Sequence, residues 1–155
     1  MSNLSDAVFT VTQVPVANAL SVAGVATVDA VTLVDSPGAF PSMSYDTYSA
    51  ATTKLAKITN LSDALVTVTN VPVTAVKALA DLSTIDSLTL STTALTTDQY
   101  SSAAASKVTT TGLTVTGVSV ARAQILASDA KVSALTVSDG SSNVTNALSD
   151  LTSNS

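Results

Sequence analysis

A chain of 155 residues is long enough for one domain to bury a core, and with no cysteine and no histidine it does so without thiol staples or the ligands of a zinc site. Charged residues make up 11% of the chain, the eleven carboxylates are all Asp, and the six cations Lys54, Lys57, Lys77, Lys107, Arg122 and Lys131 are scattered, leaving a net charge of -5. That distribution offers no basic patch for phosphates, so neither nucleic acid nor an anionic membrane surface is an expected partner. Ala, Val, Ser and Thr supply 93 of the 155 residues, and such small or β-branched side chains suit thin layers stacked in register better than an irregular cleft.

In chain order, β-type runs are expected at Phe9 to Thr12, Val31 to Val34, Val66 to Thr69, Leu88 to Ser91, Leu113 to Thr116 and Leu135 to Ser138. In each, apolar residues alternate with residues that are mostly Thr, giving one core face and one wet face. Helical spacing follows in Tyr48, Ala51, Leu55 and Ile58, in Val73, Val76 and Leu79, and in Val144, Leu148 and Leu151. Ser44 or Asp46, Thr97 or Asp98, and Asn143 are candidate helix caps, and Pro15 and Pro72 stand where a strand ends and a first helical turn begins. Pro37, Gly38 and Pro41 mark a longer loop, and Asp139-Gly140 reads as a turn.

These elements repeat. Asn3-Leu4-Ser5-Asp6-Ala7 returns as Asn60-Leu61-Ser62-Asp63-Ala64, and Val11-Thr12-Gln13-Val14-Pro15-Val16 as Val68-Thr69-Asn70-Val71-Pro72-Val73, both 57 residues later. After a further step of 47, Val115-Thr116-Gly117-Val118-Ser119-Val120 forms a third copy with Ser in place of Pro. The chain therefore reads as one repeat domain over residues 1–155, with repeats near 3–59, 60–112 and 113–151 of about 57, 52 and 40 residues. Strand alternating with helix implies parallel strands and right-handed crossovers, so the expected fold is an α/β repeat solenoid of six strand-helix coils; the alternative is a compact α/β layer.

Chemistry is sparse. Without His or Cys, Ser-His and Cys-His arrangements are ruled out, the five glycines are isolated rather than clustered around a phosphate, and Ser106-Lys107 reads as a solvated helix end. An enzyme is not expected. Asp29, Asp35, Asp86 and Asp139 flank strands at repeat-related positions, where carboxylates brought together would form a calcium site; the competing reading is that each closes a turn. No other cofactor is expected. Asn3, Asn60 and Asn143 each begin an Asn-x-Ser/Thr glycosylation pattern.

The outward Thr residues form two repeat-related sets: Thr10, Thr12, Thr67, Thr69, Thr114 and Thr116, and Thr32, Thr89 and Thr136. They describe a flat array of hydroxyls and methyls, interrupted at Val34, that resembles the ice-binding face of repetitive antifreeze solenoids. The plain reading is that Thr suits an exposed strand face.

The stretch Ser87 to Val108, SLTLSTTALTTDQYSSAAASKV, and the stretch Ser44 to Ile58, SYDTYSAATTKLAKI, resemble β/α repeat segments of large bacterial type I secreted surface proteins of the adhesin-like and haemagglutinin-like kind. The resemblance implies an extracellular structural or adhesive role. The Gly-Gly-x-Gly-x-Asp nonapeptide that often accompanies such proteins is missing here, so calcium-driven folding is not implied.

No run of about 18 apolar residues is present and no membrane span is expected. Residues 1–6 lack the charge and apolar stretch of a signal peptide. A mature fragment, export without a cleaved signal, and a cytosolic chain stay open; the Ser/Thr-rich, cysteine-free composition favours the cell exterior or surface. The expected function is a non-enzymatic structural or adhesive repeat that self-associates end to end into filaments or a surface layer, and the alternative is an ice- or carbohydrate-binding module using the Thr array.

Overall fold

The computed structural model describes residues 7–153, with the backbone alone for 148–153. Asn3 to Asp6, the start of the first repeat, lies outside the described residues, as do the side chains of Leu148 and Leu151. The order of elements is β1 (Thr10–Val14), α1 (Val16–Ala23), β2 (Ala30–Leu33), β3 (Met43–Ser44), α2 (Tyr45–Leu55), a 3-10 turn (Leu61–Asp63), β4 (Thr67–Val71), α3 (Val73–Ala80), β5 (Ser87–Leu90), β6 (Ala94–Thr96), α4 (Ser102–Lys107), β7 (Leu113–Val118), α5 (Val120–Leu126), β8 (Val132–Val137) and α6 (Ser141–Ser153). Among the described residues the protein is thus an α/β fold of six helices and three small, open, parallel sheets. These elements are consistent with the α/β layer alternative as well as with a repeat.

Residues cluster into two compact units whose bounds do not follow the repeats: residues up to Asn70 with Leu82–Ser87, and Val71–Asp81 with the residues from Leu88 on. In the first unit β1 pairs with β2, β3 pairs with β4, and a parallel bridge joins Val31 to Ile58. α1 packs on β2 and α2, and the buried residues of this unit include Val31, Leu33, Val66 and Val68 from the strand runs and Ala19, Ala23, Ala51 and Leu55 from the helices. In the second unit β7 lies between β6 and β8, and a bridge joins Leu88 to Val108. There Leu88, Leu113, Val115 and Val118 are buried with Tyr100, Ala104 and Leu126. Alanine on the inner helix faces lets helix and sheet approach closely, which is the physical use of the small-residue composition.

One position in each repeat turns the strand into the helix. Gln13, Asn70 and Gly117 occupy the same repeat position, and all three are left-handed, with φ of 57, 54 and 69 degrees. Gln13 and Gly117 sit at register shifts in the β1–β2 and β7–β8 pairs, so each is the extra residue of a bulge that re-aims the chain. Glycine adopts this conformation without cost, and Asn tolerates it; Gln13 is held there against its preference. Immediately afterwards Pro15 and Pro72 precede α1 and α3, and in the third copy the Ser119 hydroxyl accepts from Arg122 N at 3.3 Å instead.

Some expected boundaries are corrected. Ile58 lies beyond the end of α2 and bridges to Val31 as a strand residue. α4 is capped not by Thr97 or Asp98 but by Ser101, whose Oγ accepts from Ala104 N at 3.2 Å. Asn143 falls inside α6, two residues past its start, while Ser44 caps α2 by accepting from Thr47 N. The six helices match the expected number, and the short strands β3 and β6 are additional to the expected runs.

Candidate functional site

Three of the four candidate calcium ligands are tied to backbone. Asp29 Oδ2 accepts from Phe9 N at 2.9 Å and Asp86 Oδ2 from Val66 N at 2.7 Å. These pairs are repeat-equivalent: in each, the carboxylate at the start of one strand fastens the amide just ahead of the strand 20 residues earlier. In the third copy Ser133 takes the position, and its hydroxyl donates to Leu113 O at 3.2 Å. Asp139 Oδ2 accepts from Val120 N, and its Oδ1 from Gly140 N and Asn143 Nδ2; these hydrogen bonds, that from Asn143 first, hold its pKa below the ordinary value. Asp35 is exposed in the loop after β2. The four are not brought together, and among the described residues no group of three acidic side chains forms a metal-binding cluster.

Replacing Asp86 with Ala strips a half-buried amide of its acceptor and is expected to lower stability by about 1–2 kcal/mol. Asp29→Ala, at the exposed first strand, is expected to cost less. Chemical denaturation of both variants measures the difference.

Along each strand the Thr residues alternate with the more buried apolar residues. Thr10, Thr12 and Thr136 are exposed, and Thr32, Thr67, Thr69, Thr89, Thr114 and Thr116 are half-buried. They form short lateral rows, not one continuous plane. Thr96, Thr116 and Thr136 are in register across the third sheet; Thr32 meets Thr59 hydroxyl to hydroxyl at 3.0 Å, and Thr89 meets Thr109 at 3.1 Å. Within a row the spacing is the strand separation of about 4.8 Å. Several hydroxyls are spent inside the fold, since Thr69 donates to Met43 O and Thr116 to Leu95 O, both at 3.3 Å. Thr59, Thr96 and Thr109 belong to these rows although they stand outside the Thr-x-Thr pattern.

Beside the third row, a shallow open hollow of about 480 Å³ is lined by Thr97, Asp98, Ser101, Ser119, Arg122 and Ser138 among others. Thr97 Oγ1 is a buried oxygen without a hydrogen-bond partner. Asp98 is held by Lys77 at 2.8 Å, and Arg122 Nη2 donates to Tyr100 O at 3.1 Å. Nothing in this set pairs a nucleophile with a base.

No protein-family model, curated protein or solved structure matches the chain.

A group that composition did not single out lies under the hollow. Tyr100 is fully buried, and its hydroxyl donates to Asp129 Oδ2 at 2.6 Å. Burial first, and then that hydrogen bond, raise its pKa well above the ordinary tyrosine value. Burial works against the Asp129 carboxylate too, but hydrogen bonds from Tyr100 and from Lys131 N outweigh it and lower its pKa. This pair braces the core of the second unit. Tyr48, buried in α2, is its counterpart in the first unit and is also raised by burial. The hint in the sequence was the recurrence of Tyr-Ser followed closely by alanines, within α2 at Tyr48 and just ahead of α4 at Tyr100.

Proposed function

We propose that the chain is a non-enzymatic structural or adhesive repeat, working at the cell surface or outside the cell, whose six successive strand-helix turns form a solenoid that stacks with copies of itself. The observation that carries this reading is the loss of cover at the terminal strands. Phe9 is 43% exposed, whereas its repeat equivalents Val66 and Leu113 are 0% exposed. Val137 is 43% exposed, whereas Leu33 and Leu90 are 1% and 7% exposed. The same positions that the other copies bury are left open on β1 and β8, and apolar surface of this kind is what a further unit would cover. No helix among the described residues is long and apolar enough to cross a membrane.

Negative-stain electron microscopy of the purified chain, with and without calcium, tests the reading. Ordered filaments or sheets in both conditions are the expected result, because Asp29, Asp86 and Asp139 already accept hydrogen bonds from backbone amides. Dispersed particles at every concentration would overturn it.

A second reading is favoured by one observation, the in-register row Thr96, Thr116 and Thr136 beside a hydroxyl-lined hollow. Such a face suits an ice surface or a carbohydrate. Thermal hysteresis, or binding on a glycan array, that survives Thr69→Lys with Thr116→Lys would remove it.

A further inference from the structure

We infer that the hollow beside the third Thr row is a site for an acidic sugar, in which Arg122 takes the carboxylate of the ligand and the surrounding hydroxyls take its other oxygens. The inference rests on the carbohydrate alternative given above and names the class of sugar.

The hollow lies where three parallel strands of the second unit end. Thr97 follows the last residue of β6, Gly117 stands near the end of β7 with Ser119 just after it, and Ser138 follows β8. Thr97 N donates to Thr116 O at 2.9 Å and Ser138 N to Val118 O at 2.8 Å, so the three ends are tied side by side. Space outside the carboxyl ends of parallel strands is where open α/β sheets receive ligands. A volume of about 480 Å³ is that of a small-molecule site.

The residues around the hollow break the repeat. Gly117, Ser119 and Arg122 stand where the first copy has Gln13, Pro15 and Asn18 and the second has Asn70, Pro72 and Ala75. Packing that every copy shares asks for like residues at equivalent positions. Here one copy gives up a side chain, gains a hydroxyl and gains a guanidinium, all on one concave surface. A Cβ at Gly117 would meet nothing within 4 Å, so the missing side chain leaves open space.

What the lining leaves unspent is mostly donors. The hydroxyls of Ser101 and Ser119 accept from Ala104 N and Arg122 N, and each keeps its own proton to give. Thr97 Oγ1 is buried without a partner, and a turn about its Cα–Cβ bond presents that hydroxyl to the hollow in place of the methyl. Arg122 is half-buried and gives one N–H to the neutral carbonyl of Tyr100; among the described residues no carboxylate pairs with it. Asp98 on the same lining is balanced by Lys77 at 2.8 Å. The charge left over is that of one guanidinium, whose planar fork matches a single carboxylate. Asp98 supplies an acceptor for hydroxyls. One carboxylate together with several hydroxyls describes a sugar acid.

NMR titration of the full chain tests this, with D-glucuronate, D-galacturonate and N-acetylneuraminate as probes beside their methyl esters and acetate. At least one of the three acids is expected to shift the amides of Thr97, Ser101, Ser119 and Arg122, and to bind at least about tenfold more tightly than its ester or acetate. Arg122→Ala and Gly117→Asn each install the residue of the second copy, where Ala75 lies in α3 and Asn70 holds the same left-handed backbone. Both are expected to fold, as melting temperatures show, and to bind at least about tenfold more weakly, the first for want of the cation and the second because its side chain fills the hollow. Thr97→Val is expected to weaken binding without lowering the melting temperature, since the hydroxyl it removes has no partner in the chain. An acid that binds no better than its ester would overturn the inference and leave the carbohydrate reading in place. Acetate binding as tightly as the acids would overturn the assignment to a sugar. No shift around the hollow with any probe would overturn the inference, and the carbohydrate reading falls with it when the amides of Thr96, Thr116 and Thr136 are silent as well.

Discussion

Leu88→Ala is expected to destabilise the protein by about 2–5 kcal/mol, whereas Leu135→Ala, at the equivalent position of the third sheet, is expected to cost less than half as much. Leu88 is fully buried, with Val108 bridged to it, and Leu135 is half-buried on the last strand. The chemistry removed is the same in both variants. What differs is whether a following segment closes over the side chain, so the ratio of the two losses measures how much of the stability comes from stacking one turn on the next. Urea denaturation at low protein concentration provides it; equal losses would mean that the end strand is as well packed as the interior.

The second large effect is expected at Tyr100. Tyr100→Phe keeps the ring in the core but leaves Asp129 without its strongest donor, a loss of about 1–2 kcal/mol at neutral pH. It also alters the alkaline limb. The folded pKa of Tyr100 lies above the unfolded value near 10, so the folded state holds the phenol proton more tightly. The stability from that proton is whole below about pH 10 and is lost as pH rises above it. The parent is therefore expected to lose stability more steeply than Tyr100→Phe above about pH 10, as read from melting temperatures. Parallel curves would show that the hydroxyl of Tyr100 titrates as it does in the unfolded chain.

Much of the fold is legible in the residues because one side-chain period runs through each strand. Val66 and Val68, Leu88, and Leu113 and Val115 alternate with Thr, and all five are buried as that alternation requires. β3 and β6 escape the same reading, because two residues, Met43-Ser44, or three, Ala94-Leu95-Thr96, are too few to show a period. Gln13 gives no sign of its left-handed backbone; only its alignment with Asn70 and Gly117 reveals that the position demands one. The Asp residues were legible as strand-end groups, but their partners, 20 residues away in sequence for Asp29 and Asp86, depend on which strand lies alongside. Exposure at Phe9 and Val137 is likewise a property of which strand carries the residue, not of residue type.

Tyr100 and Asp129 show the limit from the other side. They stand 29 residues apart and meet because β6 and β8 flank β7, a juxtaposition that neither local pattern nor composition encodes. The rows Thr32 with Thr59 and Thr89 with Thr109 arise in the same way, from segments that cover β2 and β5 and not from the Thr-x-Thr pattern itself.

The most direct measurement is amide hydrogen exchange at Val137, followed at low and at high protein concentration beside Leu33 and Leu90. Leu33 and Leu90 are expected to exchange slowly at both, since their amides are hydrogen-bonded within the chain, while Val137 exchanges fast when dilute and slows as copies stack. Fast exchange at Val137 at every concentration would contradict the account of copies that stack on this exposed strand.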